Sequence, residues 1–140
     1  MRDLTLQIEN RADDVAMAVA QIEQFAADQG IPTSSLMRVV VAVGEILTNI
    51  LSYAFEDNGV HQIEIWTKYS QGEIVIEIID DGKPFDPLSF PAPDLDVDLD
   101  KRKIGGLGIH LVRQLMSKVR YSRQDGRNHF WIANTPPAGE

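Results

Sequence analysis

Glu45 and Asn49 stand four residues apart in the apolar run VGEILTNILSYAF, residues 43–55. On a helix that spacing puts a carboxylate and a carboxamide on nearly the same side, opposite a Leu/Val stripe. Taken alone, such a pair is ordinary solvated surface. The surrounding face, however, is poor in charge. Between Leu36 and Ala54 only Arg38 and Glu45 are charged, among neighbours such as Val41, Ala42, Thr48 and Ser52. That composition predicts that something small covers this side.

A second signal is IVIEIIDDGKPF, residues 74–85. Strand alternation puts Asp80 on the face of Ile74, Ile76 and Ile78, an inward carboxylate that wants a hydrogen-bond donor. Asp81 points the other way, as a solvated turn residue. Gly82 lets the chain turn and lets another group approach without a Cβ in the way. The third signal is IGGLGIHLV, residues 104–112, where glycines open a helix. Free N–H groups and the positive helix end suit phosphate there. Lys101, Arg102 and Lys103 lie just upstream. Each signal also has a bland reading, since Asp-Asp-Gly is a common turn and glycines before a helix often serve the turn alone.

The elements that must position these residues follow from periodicity. LTLQIE (4–9) alternates as a strand, residues 12–29 have helical spacing, and Gly30 stops that helix. A second helix starts at Pro32-Thr33-Ser34, with Thr33 or Ser34 as N-cap, and runs to about Tyr53. Its core stripe is Leu36, Val39, Val40, Val43, Leu47, Ile50 and Leu51. Strands are expected at 61–70 and 73–80, a third helix at 106–116 with Leu107, Leu111 and Leu115 in line, and strands at 118–123 and 128–134. One-sided strands predict an α/β (α+β) fold: a two-layer sandwich of a mixed, mostly antiparallel sheet with helices on one face. Residues 83–104 contain four prolines and a Leu/Val–Asp alternation that fits neither period. They read as a functional loop within a single domain spanning 1–135, followed by a tail at 136–140.

The totals exclude several classes. The chain has 140 residues, a net charge of −8 and no cysteine. The length suits one domain, and the charge opposes nonspecific binding to nucleic acid or anionic membrane. Disulfides and thiolate metal sites are excluded. No apolar run approaches a bilayer span, and MRDLTLQIEN lacks a signal peptide's apolar core, so a cytoplasmic protein is expected. His61, His110 and His129 form no metal-ligand pattern. Trp66 and Trp131 sit opposite their strands' aliphatic residues and could mark a contact surface.

The order and spacing of the three signals over residues 36–132 resemble the ATP-binding domain shared by gyrase, Hsp90, histidine kinases and MutL. The short domain, DDGKPFDP and GGLGIHLVRQLM are similar to the anti-sigma-factor serine kinases of bacterial partner-switching systems. Pro84 stands where histidine kinases usually have a second glycine, and Tyr53 where many relatives carry histidine. The resemblance implies ATP and Mg²⁺ as cofactors. Asn49 would ligate the metal, Asp80 would accept from the adenine amino group, and Gly82 would let the base lie close. Gly105, Gly106, Leu107 and Gly108 would face the phosphates, with residues 83–104 as a lid and Lys101 or Arg102 as candidate phosphate cations. Glu45 would be the base for a substrate serine. Implied partners are a small antagonist protein as substrate, a sigma factor or comparable regulator, and a second copy of the chain. The alternatives are a nucleotide-gated binding module without kinase activity and a detached histidine-kinase catalytic domain.

Overall fold

Five alternating segments become one sheet because each carries its apolar residues on the same side. The computed structural model describes residues 3–84, 86 and 106–136. In chain order the elements are β1 (Leu4–Glu9), α1 (Ala12–Asp28), α2 (Thr33–Tyr53), β2 (Gln62–Ser70), β3 (Glu73–Asp80), α3 (Gly106–Leu115), β4 (Lys118–Gln124) and β5 (Arg127–Asn134). The sheet order is β1-β2-β3-β5-β4. Every pairing in it is antiparallel, so the sheet is not mixed. Two-residue turns close the β2–β3 and β4–β5 hairpins, with Gln71-Gly72 and Asp125-Gly126 all at positive φ.

Register gives the inner face its chemistry. One cross-strand row runs Leu4, Thr67, Ile76, Ile132, Val119, and the next Leu6, Ile65, Ile78, Phe130, Tyr121. The third runs Ile8, Ile63, Asp80, Asn128, Arg123. Two apolar rows are thus bordered by a row that turns polar halfway across. Against this face lie α1, through Ala18, Ile22 and Ala26, and α2, through Leu36, Val39, Val43, Leu47 and Ile50.

Three helical expectations need correction. The N-cap of α2 is Pro32, with no side-chain cap bond, because the helix already begins at Thr33. The inward line of α3 is Ile109, Val112 and Met116, while Leu111 is exposed and Leu115 only half-buried. The leucine register is rotated by a few residues from the one that packs. Finally, α2 is long and apolar enough to cross a membrane by length and composition alone. Half of its apolar window is buried in the domain, however, and it serves as the central core helix between α1, α3 and the sheet.

Among the described residues, the other sheet face carries no helix. Trp66 and Trp131 are half-buried there, Trp131 beneath the Arg120 guanidinium at 5.1 Å from its ring centroid. The Arg127–Glu64 ion pair at 2.7 Å and the His129–Glu77 hydrogen bond at 3.1 Å cross the same surface.

Candidate nucleotide-binding site

Asn49 and Asp80 meet in one narrow cleft between α2, α3 and the end of the sheet. Its walls are apolar, from Ile46 and Ile50 of α2, Ile109 of α3, and Phe130 and Tyr121 of the sheet. Its polar floor is Asp80 with Asn128. Apolar walls over a small polar floor suit a flat aromatic base bearing an amino group.

Asn49 is 4% exposed. The helical wheel set it opposite the core stripe, but α2 is buried over a wider arc that includes Ala42, Ile46 and Asn49. The charge-poor face expected to be covered is turned inward at Ala42 and Asn49, whereas Val41, Thr48 and Ser52 on it are exposed. The Asn49 Nδ2 donates to the Glu45 carbonyl oxygen at 2.7 Å. Its Oδ1 is buried and has no hydrogen-bond partner among the described residues. A carboxamide pinned by its nitrogen, with its oxygen unsatisfied, fits a hard cation or another electron-poor ligand group. Glu45 is half-buried one helical turn before Asn49, on the border between the cleft side and the exposed side of α2.

Asp80 is 3% exposed, and burial raises its pKa above the ordinary carboxylate value, partly offset by hydrogen bonds from Asn128 and the Gly82 N–H. Both bonds fall on Oδ1, at 2.9 Å from Asn128 Nδ2 and 2.8 Å from Gly82 N. Oδ2 is left for a ligand donor.

At Gly82 the expected close approach of another group is made by the chain itself. A Cβ there would lie 2.4 Å from the Ala54 carbonyl oxygen and 2.7 Å from the Ala54 Cβ. The close approach is therefore to the end of α2, and the Lys83 N–H seals it by donating to Ala54 O at 2.8 Å. Gly82→Ala should cost about 1–3 kcal/mol of stability, since backbone fills the space and must be forced apart. Urea unfolding at unchanged midpoint would refute that reading.

Sequence reasoning missed Asn128. It donates to Asp80 and also to the Lys83 carbonyl at 2.8 Å, while its Oδ1 accepts from the Tyr121 hydroxyl and from Arg123 at 3.1 Å. Arg123 also donates to Gly82 O at 2.7 Å. The signal was available: period two from Phe130 and Ile132 puts Asn128 on the inner face, by the same count that exposed Asp80.

Of the glycine cluster, Gly106, Leu107 and Gly108 form the first turn of α3, whose next residue, Ile109, lines the cleft. Gly105, Lys101, Arg102 and Lys103, with most of the expected lid, lie outside the described residues. Among the described residues no group of His, Cys, Asp or Glu is placed to hold a metal.

An antiparallel five-stranded sheet backed by helices thus carries a narrow cleft over a polar floor at one end. The chain belongs to the histidine kinase-like ATPase domain family, which matches residues 8–133. That membership makes ATP its nucleotide. Among similar proteins, the serine/threonine-protein kinase BtrW of Bordetella bronchiseptica is 28% identical over 130 residues, covering 93% of this chain and 92% of that one. The serine-protein kinase RsbW of Oceanobacillus iheyensis is 26% identical over 127 residues, covering 88% and 80%. The crystal structure of the RsbU and RsbW domains of a Mycobacterium tuberculosis protein has the same fold, with a TM-score of 0.65 at 16% identity. The match covers 94% of this chain but 31% of that longer one. SiaB in the SiaB–SiaC complex structure from Pseudomonas aeruginosa offers a second fold match, at TM-score 0.58 and 16% identity.

Proposed function

We propose that the chain is an ATP-dependent protein serine kinase that phosphorylates a small antagonist protein and holds a sigma factor or comparable regulator. The observation that carries this reading is the convergence of Asp80 and Asn49 on one cleft, with Glu45 a single helical turn from Asn49. Kinase relatives matched over nearly their whole length support it.

In this mechanism Asp80 Oδ2 accepts from the adenine amino group, and the isoleucine walls exclude water from the base. Asn49 Oδ1, buried without a partner among the described residues, would hold Mg²⁺, whose charge would offset that of the triphosphate. By the family resemblance, backbone N–H groups of Gly105, Gly106, Leu107 and Gly108 would serve the phosphates, and Lys101, Arg102 or Lys103 would add positive charge. Glu45 takes the proton of a serine hydroxyl as its oxygen bonds the γ-phosphorus and the bond to the bridging oxygen breaks, releasing ADP. A cytoplasmic homodimer belongs to the same proposal.

The test is incubation with Mg-ATP and candidate antagonists encoded beside this chain. Acid-stable phosphoserine on one of them is expected. Nucleotide binding with no phosphorylated partner would instead favour a nucleotide-gated binding module, and acid-labile label would point to phosphohistidine.

A further inference from the structure

Behind the cleft floor, His61 sits between two carboxylates. Its ring stacks on Phe55, with centroids 4.2 Å apart and planes 10° from parallel. Nε2 lies 2.8 Å from Asp57 Oδ1, and Nδ1 lies 3.1 Å from Asp81 Oδ1. Carboxylate oxygens only accept, and a neutral imidazole has a single N–H. In the neutral ring one of the two contacts therefore sets lone pair against lone pair. Only the imidazolium satisfies both.

The two carboxylates belong to segments that meet nowhere else in sequence. Asp57 is in the connection from α2 to β2, whereas Asp81 lies between Asp80 and Gly82. These are the segments that pack together where Gly82 abuts Ala54 and the Lys83 N–H bonds Ala54 O. Other groups nearby are the Glu56–Lys83 ion pair, at 3.4 Å, and Asn10 of the β1–α1 connection, which accepts from the His61 backbone N–H. Among the described residues, Asp57 and Asp81 are the charged groups that act on the ring.

We propose that His61 is a positioning residue for the nucleotide site: its imidazolium ties the α2–β2 connection to the end of β3 and so holds Asp80 and Gly82 in place. This rests on reading the cleft as the nucleotide site. The bond to Asp57, then the bond to Asp81, raise the ring's pKa above its ordinary 6.5 against a lowering by burial. A raised value means the tie is complete below about 6.5 and is lost as pH climbs through the folded-state value.

The test uses nuclear magnetic resonance of the ligand-free chain between about pH 6 and 9. His61 should titrate above its ordinary value, and the Lys83 amide should lose roughly two- to tenfold of its exchange protection as the ring deprotonates. Asp81→Asn supplies a control that a purely structural role would not pass. Its carboxamide can donate to the neutral Nδ1 while Nε2–H serves Asp57, so protection should become independent of pH. Mg-ATP affinity should follow the same pattern, falling roughly two- to tenfold over the range in the wild type and staying level in Asp81→Asn. His61 titrating at or below its ordinary value, or Asp81→Asn keeping the wild-type pH dependence, overturns the proposal. PH-independent nucleotide affinity beside a titrating tie overturns the positioning role and leaves the cleft intact. No nucleotide binding at any pH sinks the cleft reading and this role together.

Discussion

Glu45→Gln should slow phosphoryl transfer by about 10²–10⁴-fold, the worth of a positioned general base, with Mg-ATP affinity unchanged. The substitution keeps size and hydrogen-bonding capacity but removes the ability to take a proton. Asn49 should stay oriented, because its Nδ2 bonds the Glu45 backbone carbonyl and not the carboxylate. The exchange therefore separates chemistry from nucleotide binding within a single helical turn. Quench-flow measurement of phosphoserine formation, beside calorimetric titration of nucleotide, reads both. Transfer at the wild-type rate would strip Glu45 of its role. Lost affinity would mean that the carboxylate belongs to the nucleotide site instead.

Asp80→Asn should weaken ATP binding by about 1–3 kcal/mol while leaving the folded protein at least as stable at neutral pH. The binding loss arises because an amide placed as Asp80 is would turn its NH₂ toward the adenine NH₂ once Oδ1 stays with Asn128 and Gly82. The stability sign comes from linkage. Burial raises the folded-state pKa of Asp80, so the native state holds its proton more tightly than the unfolded chain. Native stability then declines as pH rises from the ordinary 3.8 through the raised value, a decline that an amide does not suffer. Thermal unfolding across acid pH checks this half, and titration calorimetry the other. Unchanged affinity would remove Asp80 from the site.

The elements were legible because their periods are clean. Ile74, Ile76, Ile78 and Asp80 count off β3 in twos, and β1, α1, α2 and the two hairpins fall within about two residues of their expected bounds. The carboxylate at the end of β3 was legible for the same reason. Local pattern failed where burial comes from more than one neighbour. A wheel assigns one inside and one outside, but α2 is packed by α1 and α3 as well as over the sheet, so Asn49 is buried on the side opposite the Leu/Val stripe, where the scarcity of charge had predicted cover. On α3 the leucine line outweighed Ile109 and Val112, although these two are buried and Leu111 is exposed. Asn128 went unnoticed at the start of its strand, and the neighbour that crowds Gly82, Ala54, is distant in sequence. His61 gave no signal at all. Its partners sit four residues back and twenty residues ahead, and only the folded chain brings them to one ring.

On the proposed reading of the cleft, the pairing of Asp80 with Asn128 across β3 and β5 would make base recognition a matter of counting. One extra residue between Asn128 and Phe130 would swing the carboxamide to the tryptophan side of the sheet while barely altering composition. Length variation in this hairpin is therefore tolerable at the Asp125-Gly126 tip and ruinous a few positions later. A descendant that changed its purine preference would have to do so by exchanging side chains along a fixed ladder, never by sliding the rungs.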